Sequence, residues 1–150
     1  MSKITAVEKL IIHDHFPELR RHQFRIPNLT ITINFLNDNP NVYFIYGDNI
    51  LHKGKGGAAA LRDQPNTIGF ITKKFPNDDN TSFYHPDEYL QVFHKECDRL
   101  ITLMKNNPHH YYLFSKIGSG LANKYCIFQL IIEPWLLSLE NKFTNCSLLF

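Results

Sequence analysis

Long apolar runs are missing. No stretch of the chain approaches the roughly 18 consecutive apolar residues that a membrane span requires, so no membrane association is expected. Cysteine is scarce: Cys97, Cys126 and Cys146 are the three in 150 residues, and no two of them form a Cys-x-x-Cys pair. An odd, scattered set excludes a disulfide framework and fits reduced thiols in a cytosol. Charge of one sign is also missing. Sixteen Lys and Arg oppose fourteen Asp and Glu, giving +2 with eight neutral His. That balance is too mild to point to nucleic acid. Lys3 and Glu8 interrupt any apolar run at the N-terminus, so no secretory signal is expected. The address expected is cytoplasmic, or secreted into a host cell without a classical signal peptide. Internal repeats, low-complexity tracts and interdomain linkers are absent. So are the Gly-x-Gly-x-x-Gly and Gly-x4-Gly-Lys-Ser/Thr fingerprints of nucleotide sites. No Gly-x-Ser-x-Gly elbow surrounds Ser119, which argues against a serine nucleophile.

The chain does have an ordinary globular balance, 43% hydrophobic and 20% charged, with twelve Phe and seven Tyr. A chain of this length suits one domain with one core. Residues 1–28 form an N-terminal extension of uncertain structure. Within it, Glu8–Phe16 is apolar enough for a short helix, ended by Pro17. His13, His15 and His22 lie near Asp14, but on a helix a spacing of two points to different faces. They are read as surface histidines, and no metal site is expected.

The centre of the chain is Val42–Arg62, VYFIYGDNILHKGKGGAAALR. Val42–Tyr46 is nearly continuous in apolar character, as a strand covered on both faces should be. Gly47-Asp48-Asn49 follows it. The glycine loop Gly54-Lys55-Gly56-Gly57 then leads into Ala58-Ala59-Ala60-Leu61-Arg62, a run of helix formers expected to make about two turns before Pro65. A strand, a glycine loop and a helix start together form an anion-binding arrangement, because free N–H groups and the helix dipole attract phosphate.

Elsewhere, Leu29–Phe35 alternates strictly and predicts a half-buried strand, with a turn over Leu36–Asn41. Thr67–Thr72 predicts another strand, Pro76–Pro86 a loop, and Pro86-Asp87-Glu88 a helix start. That helix would bury a stripe of Tyr89, Leu90, Phe93, Cys97, Leu100, Ile101 and Met104. Tyr111–Phe114 predicts a strand that ends in a second glycine loop, Lys116-Ile117-Gly118-Ser119-Gly120-Leu121. Asn123 should cap the next helix, with a kink at Pro134. Cys146–Phe150 suits a last strand. Alternating strands and helices predict a mostly parallel sheet with helices on both faces. Ligands of such sheets lie at the carboxyl ends of strands, where both glycine loops fall.

This order of motifs resembles a macrodomain, the α/β module that binds ADP-ribose, and within it the terminal ADP-ribose protein glycohydrolases. The residues that carry the resemblance are Gly54–Leu61, Ile71-Thr72-Lys73-Lys74 and Ile117-Gly118-Ser119-Gly120-Leu121, in that order, and it spans about Leu29 to Phe150. It implies a three-layer α/β/α fold with a mixed, mostly parallel sheet. It implies that the backbone of Gly56-Gly57-Ala58 and of Gly118-Ser119-Gly120-Leu121 holds two phosphates, beside Gly47 and Gly54. Asp48 or Asn49 would then bond near the distal ribose or the adenine, and Tyr125 or Phe75 would cover a ring. Lys55 and Lys73 are candidates to pair with the diphosphate.

In the hydrolases resembled, a lysine after Ile-Thr and an aspartate right after Gly-Leu do the chemistry. Lys73 matches the lysine, but Ala122 stands in the place of the aspartate. Another carboxylate must then assist cleavage at the ribose C1″, with Asp48 the first candidate and Asp63 the second; Asn49 is the residue for orienting ribose hydroxyls. The resemblance therefore implies hydrolysis of ADP-ribose from a protein side chain. Arginine linkage is favoured, as in some bacterial effectors that resemble macrodomains, and no cofactor is needed. The partners implied are ADP-ribose and a modified protein, and a monomer is expected. The alternative is a reader that binds ADP-ribose without cleaving it.

Overall fold

The computed structural model describes residues 24–150. The helix expected at Glu8–Phe16 and the histidines His13, His15 and His22 lie outside the described residues. Four strands form one sheet: β1 (Val42–Asn49), β2 (Thr67–Lys73), β3 (Tyr111–Phe114) and β4 (Cys146–Leu148). Their order is β2-β1-β3-β4, and every pair is parallel, so the sheet of the described residues is not mixed. The only antiparallel pairing among them is an isolated bridge between Lys73 and Phe83. The fold class is α/β.

β1 is the central strand, and its apolar run serves two cores. Val42, Phe44 and Tyr46 pack with Leu36, Ala59 and Leu113 on one face. Ile45 packs with Phe70, Tyr112 and Phe114 on the other, where both long helical segments lie. Those alternating contacts are the two-residue period of a strand expressed as burial on both sides.

A helix, α1 (Ile33–Asp38), replaces the strand expected over Leu29–Phe35. Thr32 caps this helix, its hydroxyl accepting from the Phe35 N–H at 3.1 Å, a role that Thr fills well. Asn39 closes the other end by donating to the Phe35 carbonyl at 2.8 Å. Ile33, assigned to the buried face by the alternation, is exposed. A second helix, α2 (Pro86–Asn106), is where the pattern placed it. Tyr89, Phe93, Cys97, Leu100 and Met104 are buried, Ile101 is half-buried and Leu90 is exposed. Leu90 lies one residue past Tyr89, about 100° round the helix, and so leaves the stripe.

Several segments are tighter or wider than an α-helix. The two-turn helix expected after the glycine loop is a 3-10 turn, Gly57–Leu61. Asn123 is not the N-cap of the next helical segment, where Ile127 stands, although its side-chain oxygen accepts from the Phe128 N–H at 2.9 Å. Asn123 itself lies inside another 3-10 turn, Leu121–Tyr125. The chain then runs through a π-helical stretch, Phe128–Ile132, into α3 (Glu133–Ser138). Pro134 has no N–H to give the preceding turn, and the register opens to a five-residue step there, with the Glu133 N–H reaching the Phe128 carbonyl. This wide turn is the form the expected kink takes.

β2 is an edge strand, and α2 seals it. Tyr89 donates its hydroxyl to the Ile71 carbonyl at 2.6 Å. Glu96 accepts from the Ile71 N–H at 2.7 Å, and Arg99 donates to the Gly69 carbonyl. No helix among the described residues is long and apolar enough to cross a membrane.

Candidate functional site

Strand order locates the crevice. From β1 the chain moves to β2 on one side; from β3 it moves to β4 on the other. The sheet therefore reverses direction between β1 and β3, and a parallel sheet opens a crevice outside the carboxyl ends of the strands at that point. The two loops that leave those ends are 50–57 and 115–120, the two glycine loops singled out from sequence.

The second loop folds tightly over the sheet. Gly118 takes φ +79°, and a Cβ there would run into the Ile132 side chain and touch Thr72. A Cβ at Gly47 would lie 3.7 Å from the Gly118 nitrogen. Small residues thus let the end of β1 and the second glycine loop approach each other closely. Ser119 donates its hydroxyl to the Lys116 carbonyl at 2.6 Å, which occupies that proton locally. Among the described residues, no acceptor receives the backbone N–H of Gly118, Gly120 or Leu121, nor those of Gly54, Lys55, Gly56, Gly57 and Ala58. The first loop is exposed along its length.

Lys73 and Lys124 approach from the strand and helix sides. The Lys73 ammonium lies 4.9 Å from the centre of the Phe83 ring and that of Lys124 lies 5.1 Å from the same ring. Two cations thus share one aromatic ring. The Lys73 side chain is only 13% exposed and has the Asp78 carboxylate 3.6 Å away; Lys124 bonds Asn80. Tyr125 stacks on His85 with centroids 3.9 Å apart, whereas Phe75 is exposed. Ile50, Leu51, Phe75 and Leu121 are all exposed large apolar side chains in the loops at this end of the sheet. An apolar rim around polar backbone groups is the usual make-up of a small-molecule site.

The matching family model is a family of unknown function (DUF7831), over residues 26–124. The chain belongs to this family. No curated protein and no solved structure matches it. The region of this DUF7831 chain that the family covers runs from before α1 to Lys124, so it takes in both glycine loops, β1, β2, α2 and β3.

The candidate catalytic residues separate into two groups in the DUF7831 chain. Asp48 is buried, and both of its oxygens are engaged. Oδ1 meets Arg62 Nη1 at 2.7 Å and the Asn49 N–H at 2.8 Å; Oδ2 meets His52 Nδ1 at 2.6 Å. Asn49, also buried, spends its side chain on the loop ahead: it donates to the Lys53 carbonyl at 2.7 Å and accepts from the Leu51 N–H at 3.1 Å. Asp63 is exposed and pairs with Lys55 of the first glycine loop. Lys73 stands apart from them, with its ammonium over the Phe83 ring and 3.6 Å from the Asp78 carboxylate.

No sequence pattern singles out Arg62, yet it ties the first loop together. Besides Asp48 it reaches the Gly54 carbonyl at 2.9 Å, the Lys53 carbonyl at 3.1 Å and the Tyr46 hydroxyl at 3.3 Å. Burial, and then the Asp48 charge, push the Tyr46 hydroxyl pKa up. A cleft of about 600 Å³ opens beside these groups, lined by Tyr46, Asp48, His52, Arg62, Gly69 and Arg99 among others. Gly69 was the available signal. A glycine in mid-strand marks a close approach, and here a Cβ would collide with the Asp48 carboxylate.

Proposed function

We propose that the protein binds ADP-ribose in the crevice between the β1 and β3 loops and hydrolyses the bond linking it to a protein side chain, arginine-linked ADP-ribose being the favoured substrate. The fold this reading requires is the three-layer macrodomain type. One observation carries the reading: two glycine loops leave adjacent parallel strands at the point where strand order reverses, and both keep backbone N–H groups that no acceptor among the described residues receives. Such groups suit a pyrophosphate. Lys73 and Lys124 supply positive charge around the Phe83 ring, and the rim of Ile50, Leu51, Phe75 and Leu121 offers apolar cover for a ring. Ala122, buried in the place of a catalytic aspartate, argues for a linkage other than a carboxylate ester. The companion expectations are a monomer acting on a modified protein without a cofactor.

The engaged state of Asp48 favours a second reading. A carboxylate held by Arg62, His52 and the Asn49 N–H does not itself face a water, so a non-catalytic reader is the alternative. Two measurements separate them. Calorimetry with ADP-ribose should show micromolar or tighter binding, and Gly118→Ala should weaken it at least tenfold. Incubation with arginine-ADP-ribosylated protein should release ADP-ribose. Binding without release on any linkage leaves the reader; absence of binding rejects both.

A further inference from the structure

We propose that His52, positioned by Asp48, is the general base that activates water for the hydrolysis; the assignment rests on the hydrolase reading above. Asp48 Oδ2 takes the Nδ1 proton of His52 at 2.6 Å. That bond fixes the tautomer and leaves the Nε2 lone pair outward. Among the described residues nothing bonds Nε2, and the side chain is 64% exposed while its carboxylate partner is 3% exposed. A buried acid holding an exposed imidazole by one nitrogen is the orienter-and-base arrangement of hydrolytic sites.

Three further features aim this pair. The backbone of His52 is left-handed, with φ +55°, a conformation uncommon for a side chain with a Cβ. The loop imposes it: the His52 N–H bonds the Asn49 carbonyl at 3.1 Å, and the Asn49 side chain holds Leu51 and Lys53. Strain that the surroundings enforce is a pointer to function. Arg62 couples the pair to the phosphate loop, since one guanidinium binds both Asp48 and the Gly54 carbonyl. Gly69 completes the seat, because any side chain there would displace the Asp48 carboxylate. The cleft that His52 lines opens on the β2 side of β1.

In the hydrolytic step, a water oxygen forms a bond to C1″ while the C1″–nitrogen bond to the arginine side chain breaks. The water proton passes to Nε2 and from there to the departing nitrogen, which leaves as guanidinium. No redox partner or metal is required.

The test uses the full chain and arginine-ADP-ribosylated protein. His52→Asn keeps a residue tolerant of left-handed backbone but removes the base. It should lower kcat by roughly 10²- to 10⁴-fold, the usual size of a general-base contribution, with KM, ADP-ribose affinity and melting temperature unchanged. His52→Ala should regain part of its rate on addition of free imidazole. Asp48→Asn should lower kcat without imidazole rescue; where it fails to fold, the two His52 variants decide. Wild-type turnover with His52 variants keeping more than about a tenth of kcat overturns the assignment and leaves the hydrolase reading standing. A wild type that binds ADP-ribose but releases none overturns the hydrolase reading and the base with it.

Discussion

Asp48 was legible as a strand-end carboxylate, but its neighbours were not. His52 and Arg62 reach it from the loop and from the 3-10 turn, and no periodicity in the sequence links positions 48, 52 and 62. Gly69 held the clue, and its replacement is the sharpest residue-scale test. Gly69→Ala forces the carboxylate from its seat, so about 1–3 kcal/mol of stability should be lost, as for an overpacked site, together with turnover; urea denaturation and single-turnover rates read the two losses. The cysteines make a second test. Burial pushes both the Cys97 and the Cys146 thiol up to about 12, while Cys126 is exposed. Thiolate, not thiol, reacts. One equivalent of a thiol reagent should therefore react quickly with the folded protein at neutral pH and three after unfolding. Three fast equivalents in the native state would contradict the burial.

At the scale of elements, long patterns were readable and short ones were not. α2 announced itself through Pro86, the acids behind it and five buried residues at spacings of three and four. The Leu29–Phe35 alternation misled because one side-chain cap outweighs seven residues of weak preference: Thr32 and Asn39 fix α1 from both ends, and propensity yields to such local bonds. The start of α2 carries its own prediction. Glu88 accepts from the His85 N–H at 2.9 Å and pairs with Lys74 at 2.9 Å. Those two contacts, the backbone bond first, hold its carboxyl below the ordinary range. A pKa lower in the folded state stabilises the fold above the unfolded value and loses that contribution as pH falls through the folded one. Glu88→Gln should thus cost about 0.5 kcal/mol at neutral pH, a typical capping effect reduced by its solvent exposure, or roughly 1–2 °C in melting temperature. Scans at decreasing pH should show the gap to wild type closing; a constant gap would argue against the charge.

For the whole molecule, alternation of strands with helical segments was enough to give an α/β sheet, and the glycine loops fell at strand ends as parallel geometry demands. Strand order was out of reach, because it is set by which edges the chain crosses and not by local composition. Yet that order, β2-β1-β3-β4, is what puts the two loops on either side of one crevice. The sealing of β2 by Tyr89, Glu96 and Arg99 was equally invisible, since it joins residues 18 to 30 positions apart in sequence. It also has a cost if undone. A naked strand flank is a template for other chains, and Thr-Ile-Gly-Phe-Ile-Thr is short, apolar and uncharged, the make-up of a fibril-forming segment. A Glu96→Ala, Arg99→Ala double variant should gain thioflavin-positive, light-scattering assemblies on mild heating at concentrations where the parent stays clear. Three side chains of one helix would then be guarding the protein's solubility as well as its shape.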